Sequence, residues 1–348
     1  MTSTLTIRDK INSFAIGRRR LIGLAITRIG LGATTALIYI TGIQFRETLY
    51  GPHGELSFQS FLADQRSSTS VFSLYSLSQS EFWFNLVYFA GLAAALAWMI
   101  FGGRSLTAVN AIFVWSLQER NMYLGDGGDN VARIVLILLI FTTTNAYFAP
   151  HAKKVRARLE ALGQQPRLAN SIHNVVAMLI VFQVCIVYTV AGLWKVVSDR
   201  WREGNALFYI GYSHQFDYTK ILPWLMHSSI IVTVVCYLTI TVQLCMFPAA
   251  LTRHRWLREI ILLLIAGMHF GIMYGMGLVS FGLIMISVDA SIMRDSDYRI
   301  TYSYIRDAAR KLFGSRAAAP VSLVGVPDVA AASRISEVAS FAQRGVNP

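Results

Sequence analysis

The chain has 348 residues, 54% hydrophobic and only 14% charged, with a mean hydropathy of +0.48, a balance that excludes an ordinary soluble domain. Its formal net charge of +12 comes without any nucleic-acid-binding motif, so it reads as basic loops facing anionic lipid and no nucleic-acid partner is expected. The three cysteines, Cys185, Cys236 and Cys245, all fall inside apolar runs with no CxxC pair. That argues against thiol redox chemistry and a thiolate metal site, and no metal is expected.

Several uncharged windows are long enough to cross a hydrocarbon core of about 30 Å, which takes roughly 20 helical residues. The runs are continuous rather than alternating, so they read as helices and not as strands of a barrel. The fold class predicted is all-α, a polytopic transmembrane bundle of about eight spans. In chain order these are 21–43, 82–101, a short one at 105–118, 131–148, 170–197, 228–250, 257–275 and 277–293.

Residues 1–20 form a basic N-terminal segment with Arg8, Lys10, Arg18, Arg19 and Arg20, and no small-residue cleavage site follows, so the first span reads as retained. Residues 21–294 make the membrane domain. Residues 295–348 are a tail of alanine, serine, valine and scattered arginine, expected to be largely disordered from Ser315 on. Most of the 31 Lys and Arg residues fall on segments 1–20, 151–167, 253–258 and the tail, all on one side of an even-numbered bundle. The positive-inside rule then puts both termini in the cytoplasm of a plasma-membrane protein. On the outer side, 44–81 is the longest segment, with a serine-rich loop and a short interfacial helix. Trp83, Trp194, Trp201 and Trp224 lie near outer boundaries, where an aromatic belt belongs.

Four polar features carry the candidate chemistry, and each has two readings. Arg28, about eight residues into the first span, either pairs structurally or serves a site. The outer turn RNMYLGDGGDNVAR (120–133) places Asp126, Asp129, Asn130 and Arg133 together. It either caps the next helix or walls an outer-facing cavity, and it lacks the spacing of a P-loop or an EF-hand. His269 sits beside Gly267, Gly271 and Gly275, a stripe suited to close helix packing from which the histidine points away. It is either a satisfied structural group or a proton carrier. Lys195 ends the stretch Tyr188 to Gly204, YTVAGLWKVVSDRWREG. It is either a snorkelling anchor or an amine dry enough to act as a base. Lys195, His269, the acidic turn and the loop after Trp201 all fall on one side of the membrane, where one cavity is expected to collect them.

The order of these features resembles the horizontally transferred transmembrane (HTTM) domain. That domain forms the membrane part of vitamin K-dependent γ-carboxylase and bacterial relatives of the sporulation-delaying toxin-maturation type. The matching pieces are Arg28, YGPHG (50–54), SLQERNMYLGDGGDN (116–130), YTVAGLWK (188–195), WREG (201–204) and His269 with its glycine-rich continuation. The resemblance implies an enzyme in which Lys195, following Ala191-Gly192, is the base toward a reduced quinone and His269 assists. It implies a supporting binding set of Arg28, Asp126, Asp129, Asn130, Arg133, Tyr188, Trp194 and Trp201. The chain ends soon after its last span without a counterpart of the carboxylase's lumenal domain, so the expected partner is a small peptide rather than a large protein. The competing reading is a non-catalytic factor for the production, export or immunity of a toxin-like peptide.

Overall fold

Backbone groups withdrawn from water must pair within their own segment, and helices follow wherever the apolar runs lie. The computed structural model describes residues 14–67, 72–162, 165, 167–213, 224 and 227–313, and among these every regular element is helical. Arg8, Lys10 and the tail expected to be disordered from Ser315 lie outside the described residues. The principal helices are α1 (Leu21–Thr41), α2 (Glu81–Phe101), α3 (Arg104–Arg120), α4 (Gly127–Leu139), α5 (Ala152–Leu162), α6 (Leu168–Val197), α7 (Ser229–Leu251), α8 (Arg255–Met276), α9 (Val279–Asp289) and α10 (Asp295–Phe313). The described residues from Ser296 to Phe313, within α10, belong to a second unit.

Among the described residues five helices, α1, α2, α6, α7 and α8, are long and apolar enough to cross a membrane. The other three segments expected to span are shorter helices. The 105–118 segment lies in the 17-residue α3. The 131–148 run leaves helix after Leu139, because Thr142 Oγ1 turns back to the Leu139 carbonyl (3.0 Å) and the Thr143 amide donates to His173 Nδ1 (3.0 Å). The 277–293 run becomes the 11-residue α9, preceded by Gly277 in the left-handed region (φ 72°) and followed by a 3₁₀ turn, Ala290–Ile292. At 1.5 Å per residue α4 and α9 are about 20 and 16 Å long, short of the ~30 Å core.

Although short, α9 is the hub of the bundle. It packs against α1, α4, α6 and α8, and Gly282, Ile284, Met285, Ser287, Val288 and Asp289 are buried. Close approach to α1 depends on two glycines seven residues apart on one face. A Cβ on Gly23 would lie 2.6 Å from the Ala290 carbonyl, and one on Gly30 would overlap the Ser287 side chain. Gly32 makes similar room for Met99 of α2. The start of α1 is fixed by the end of the same unit: Asp295 accepts from the Leu21 and Ile22 amides (3.2 and 2.8 Å), while Arg20 Nη1 donates to the Ser291 and Ile292 carbonyls (both 2.7 Å). A carboxylate on the free amides of a helix N-terminus is favourable in hydrogen bonding and in dipole alike.

At that end of the bundle the basic N-terminal residues are also fasteners. Arg18 Nε donates to Asn170 Oδ1 (3.1 Å), the Arg19 amide donates to Asn174 Oδ1 (2.9 Å), and Asn174 Nδ2 donates to the Phe14 and Gly17 carbonyls. At the opposite end Arg120, 2% exposed, donates to the Gly51 and Leu56 carbonyls and lies over the Phe61 ring, pinning the loop after α1.

Candidate functional site

The site is built on one face of α6. Tyr188, Ala191 and Lys195 are spaced i, i+3, i+7, so they stack along one stripe two turns long. All three line an apolar cavity of about 560 Å³ walled by α6, α7, α8, α9 and the segment from Trp201 to Ile210. That volume is within the range of about 300–1,000 Å³ for small-molecule sites, which are mostly apolar with a few convergent polar groups. Here the polar groups are Tyr188, Lys195, Thr239, Gln243 and His269.

Lys195 folds back along its own helix instead of reaching for solvent. Its Nζ donates to the Ala191 carbonyl at 3.3 Å and stands 5.0 Å from the centre of the Trp201 ring. Among the described residues no carboxylate pairs with it. An amine held by one carbonyl and an indole face keeps its lone pair available once it gives up a proton, unlike an ammonium locked in an ion pair.

Opposite lies a buried chain of three side chains from three helices. The Tyr188 hydroxyl is 2.8 Å from His269 Nε2 on α8 and 2.8 Å from Asp289 Oδ2 at the end of α9. None of the three is more than 5% exposed. The His269 ring packs edge-on against Phe281, 5.5 Å between centres. His269 Nδ1, Asp289 Oδ1 and the Gln243 Oε1 atom are buried with no protein partner. An unsatisfied buried polar atom costs about 1–3 kcal/mol, and two of the three belong to residues that line the cavity, His269 and Gln243, which marks it as a place for polar contact with something other than the protein.

Asp289 was not among the residues singled out from the sequence. It sits close to Arg294, Asp295 and Asp297, so it reads as one more boundary charge. The available signal was its place inside the apolar run 277–293, where a lone acid is a functional candidate by default.

The remaining candidates lie elsewhere. Trp194, one residue from Lys195 but about 100° round the helix, is 71% exposed and faces away from the cavity. Arg28 is fully buried and donates to the Ile100 (3.3 Å) and Phe148 (2.9 Å) carbonyls, tying α1 to the end of α2 and to the turn before α5. Asp126 and Asp129 form a reciprocal capping box on α4: Asp126 Oδ1 accepts from the Gly128 amide (2.7 Å), and the Asp126 amide donates to Asp129 Oδ2 (2.9 Å). Asp129 also accepts from Gln118 (2.9 Å), and burial holds its carboxyl above the ordinary aspartate range. Arg133 pairs with Glu119 at 2.7 Å over the Trp115 ring, and Asn130 is exposed.

The expected single cavity is therefore two. Asp129 lines a smaller one of about 110 Å³ with Tyr50, Gln118, Asn121 and Ser280. Between them stands α9: Ser280 and Ile284 face the small cavity, Phe281 and Met285 the large one. The glycine stripe also departs from expectation. Gly267 and Gly271 line the large cavity, and a Cβ on either would meet no atom within 4 Å. They make room rather than contact; the glycines that let helices touch lie elsewhere, among them Gly23, Gly30 and Gly32 on α1 and Gly282 on α9. Compared with protein-family models, with curated proteins and with solved structures, the chain matches none of them.

Proposed function

We propose that this chain is a multi-pass plasma-membrane enzyme of the HTTM type, acting in its large apolar cavity on a lipid-soluble quinone, on a small peptide, or on both. Lys195 is the general base and His269 assists it, with Tyr188 and Trp201 in the same cavity wall. The observation that supports this reading is the convergence of Lys195, Tyr188 and His269 on one cavity of ligand size whose walls are mostly apolar. In this reading the chain passes between the two ends of the bundle eight times, both termini are cytoplasmic, and the Lys195 end faces outward.

The residues present fit a quinone-like molecule. Apolar walls accommodate rings and chain, while Gln243 and His269, which line the cavity and each carry a side-chain atom without a protein partner, are the groups available to its hydroxyls. When bound, a reduced quinone supplies an acidic hydroxyl. Lys195 then accepts a proton at Nζ, while Trp201 and the surrounding apolar side chains keep water from competing for it.

The test uses the full chain in lipid nanodiscs. Reduced vitamin K is expected to raise its melting temperature, and mass spectrometry of a co-expressed peptide is expected to show a Lys195-dependent mass change. If Lys195→Ala leaves every such mass unchanged, the catalytic reading fails and a peptide-binding factor for production, export or immunity takes its place.

A further inference from the structure

Asp289, Tyr188 and His269 are joined by two 2.8 Å hydrogen bonds in the interior of the bundle, and the direction in which those bonds run decides what His269 can do. If Asp289 is ionised, Tyr188 donates to it, the imidazole donates from Nε2, and Nδ1 is a bare acceptor. With Asp289 protonated the chain reverses: the acid donates to the tyrosine oxygen, the tyrosine donates to Nε2, and Nδ1 carries the proton.

We propose that these side chains form a proton relay that rests with Asp289 protonated and offers the Nδ1–H of His269 to an oxygen acceptor of the cavity's ligand, a carbonyl or an oxyanion. The ligand part of this inference rests on the enzyme reading above; the resting state of the relay does not. Charge decides the direction. Among the described residues Tyr188 is the sole hydrogen-bond partner of Asp289, its Oδ1 has none, and no Lys or Arg pairs with it. An unpaired carboxylate in such a place costs several kcal/mol more than the acid, whereas the reversed chain is neutral at every member. Nε2 is taken by Tyr188, so Nδ1 is the nitrogen left for a ligand: it is buried without a protein partner, on a side chain that lines the cavity.

The relay also delivers a proton without creating a buried cation. As charge develops on the ligand oxygen, the Nδ1–H bond breaks and a ligand O–H bond forms. Tyr188 passes its hydroxyl proton to Nε2, and Asp289 passes its carboxyl proton to Tyr188. One proton leaves Asp289 and one reaches the ligand, while the negative charge moves from the ligand oxygen to the Asp289 carboxylate. The imidazole never holds two protons. Lys195 and His269 thereby have opposite tasks: the lysine removes a proton at one point of the ligand and the histidine gives one at another. Asp289 and Tyr188 are positioning residues that act through His269.

The experiment reads the ligand-free full chain in lipid nanodiscs, labelled with ¹⁵N-histidine. Of the 7 histidines, the signals of His269 are those lost in His269→Gln. The expected spectrum shows Nδ1 protonated and Nε2 bare. A carbonyl infrared band of a protonated carboxylic acid should shift on ¹³C-aspartate labelling and disappear in Asp289→Asn. That variant should keep the ring tautomer, because its amide donates to Tyr188 where the acid did, whereas Tyr188→Phe should give mixed tautomers. A wild-type ring protonated at Nε2 or at both nitrogens, or a missing acid band, overturns the proposal even if a variant fails to fold. Lys195→Ala should leave all these spectra unchanged. If it also leaves the product unchanged, the enzyme reading fails while the relay stands.

Discussion

At the scale of the residue, the discriminating position is Lys195. A snorkelling anchor needs only a cation on a long stem, and arginine supplies that. A base needs an amine that can lose its proton at working pH, and guanidinium cannot. Lys195→Arg is therefore expected to be as inactive as Lys195→Ala, a loss of about 10²-fold or more in turnover, while the protein accumulates normally in the membrane. Wild-type turnover in the arginine variant would return the residue to an anchoring role. Arg28 makes the opposite prediction. Gly102, at φ 61°, leaves room for the guanidinium, and a Cβ there would lie 2.6 Å from Nη1. Gly102→Val combines backbone strain with that overlap and should destabilise the fold by about 1–3 kcal/mol, read as a lowered melting temperature in detergent. Both residues stood out in the sequence as charges within apolar runs, a rule that finds costly charges without separating a reactive amine from a structural clamp. Their neighbours make that separation: an indole face and an open cavity for Lys195, backbone carbonyls on both terminal nitrogens for Arg28.

At the scale of the element, two sets of glycines in apolar helices look alike in sequence and differ in what stands opposite them. On α1, Gly30 is filled by Ser287 of α9; on α8, Gly271 borders open space. Gly30→Val should destabilise by about 1–3 kcal/mol through overpacking. Gly271→Ala should leave stability unchanged or raise it by about 0.5–1 kcal/mol, since alanine is the better helix former. Melting both variants in parallel checks the pair, and a comparable loss in both would mean that α8 is packed on its glycine face. The same scale explains the span count. Hydropathy registers an apolar run but not the point at which a side chain or a distant acceptor pulls the backbone out of helix. That happens after Leu139, where Thr143 donates to His173, thirty residues on. The capping box of Asp126 and Asp129, in contrast, was legible as an acid just ahead of a helical run with a second acid three residues on, because capping is local.

At the scale of the whole molecule, the hydrogen bonds sort into two ends. One gathers Arg18 to Arg20, Asn170 to Asn174 and Ser291 to Asp295; the other gathers the loop after α1, Arg120 and the acidic turn. Single cysteines in a cysteine-free background test the orientation proposed above. Asn130→Cys should react with an impermeant maleimide on intact cells, and Lys153→Cys only after permeabilisation. Reaction of both from outside would overturn the orientation.

What the sequence by itself determined is the class of molecule: helical, multi-pass, basic at one set of loops, with a lysine and a histidine worth weighing. These follow from composition, run length and local capping, which act within a few turns of one chain segment. Only the tertiary structure decided that Lys195 and His269 share a cavity, that the acidic turn belongs to a different one, and that Asp289 closes a chain through Tyr188. The reason is geometric. A cavity exists where four helices fail to touch, and a hydrogen bond between residues 188 and 289 depends on how α6 and α9 are placed by contacts with α1 and α4. The stretch around Lys195 carries the amine, but the helices around it decide whether that amine meets lipid or a ligand.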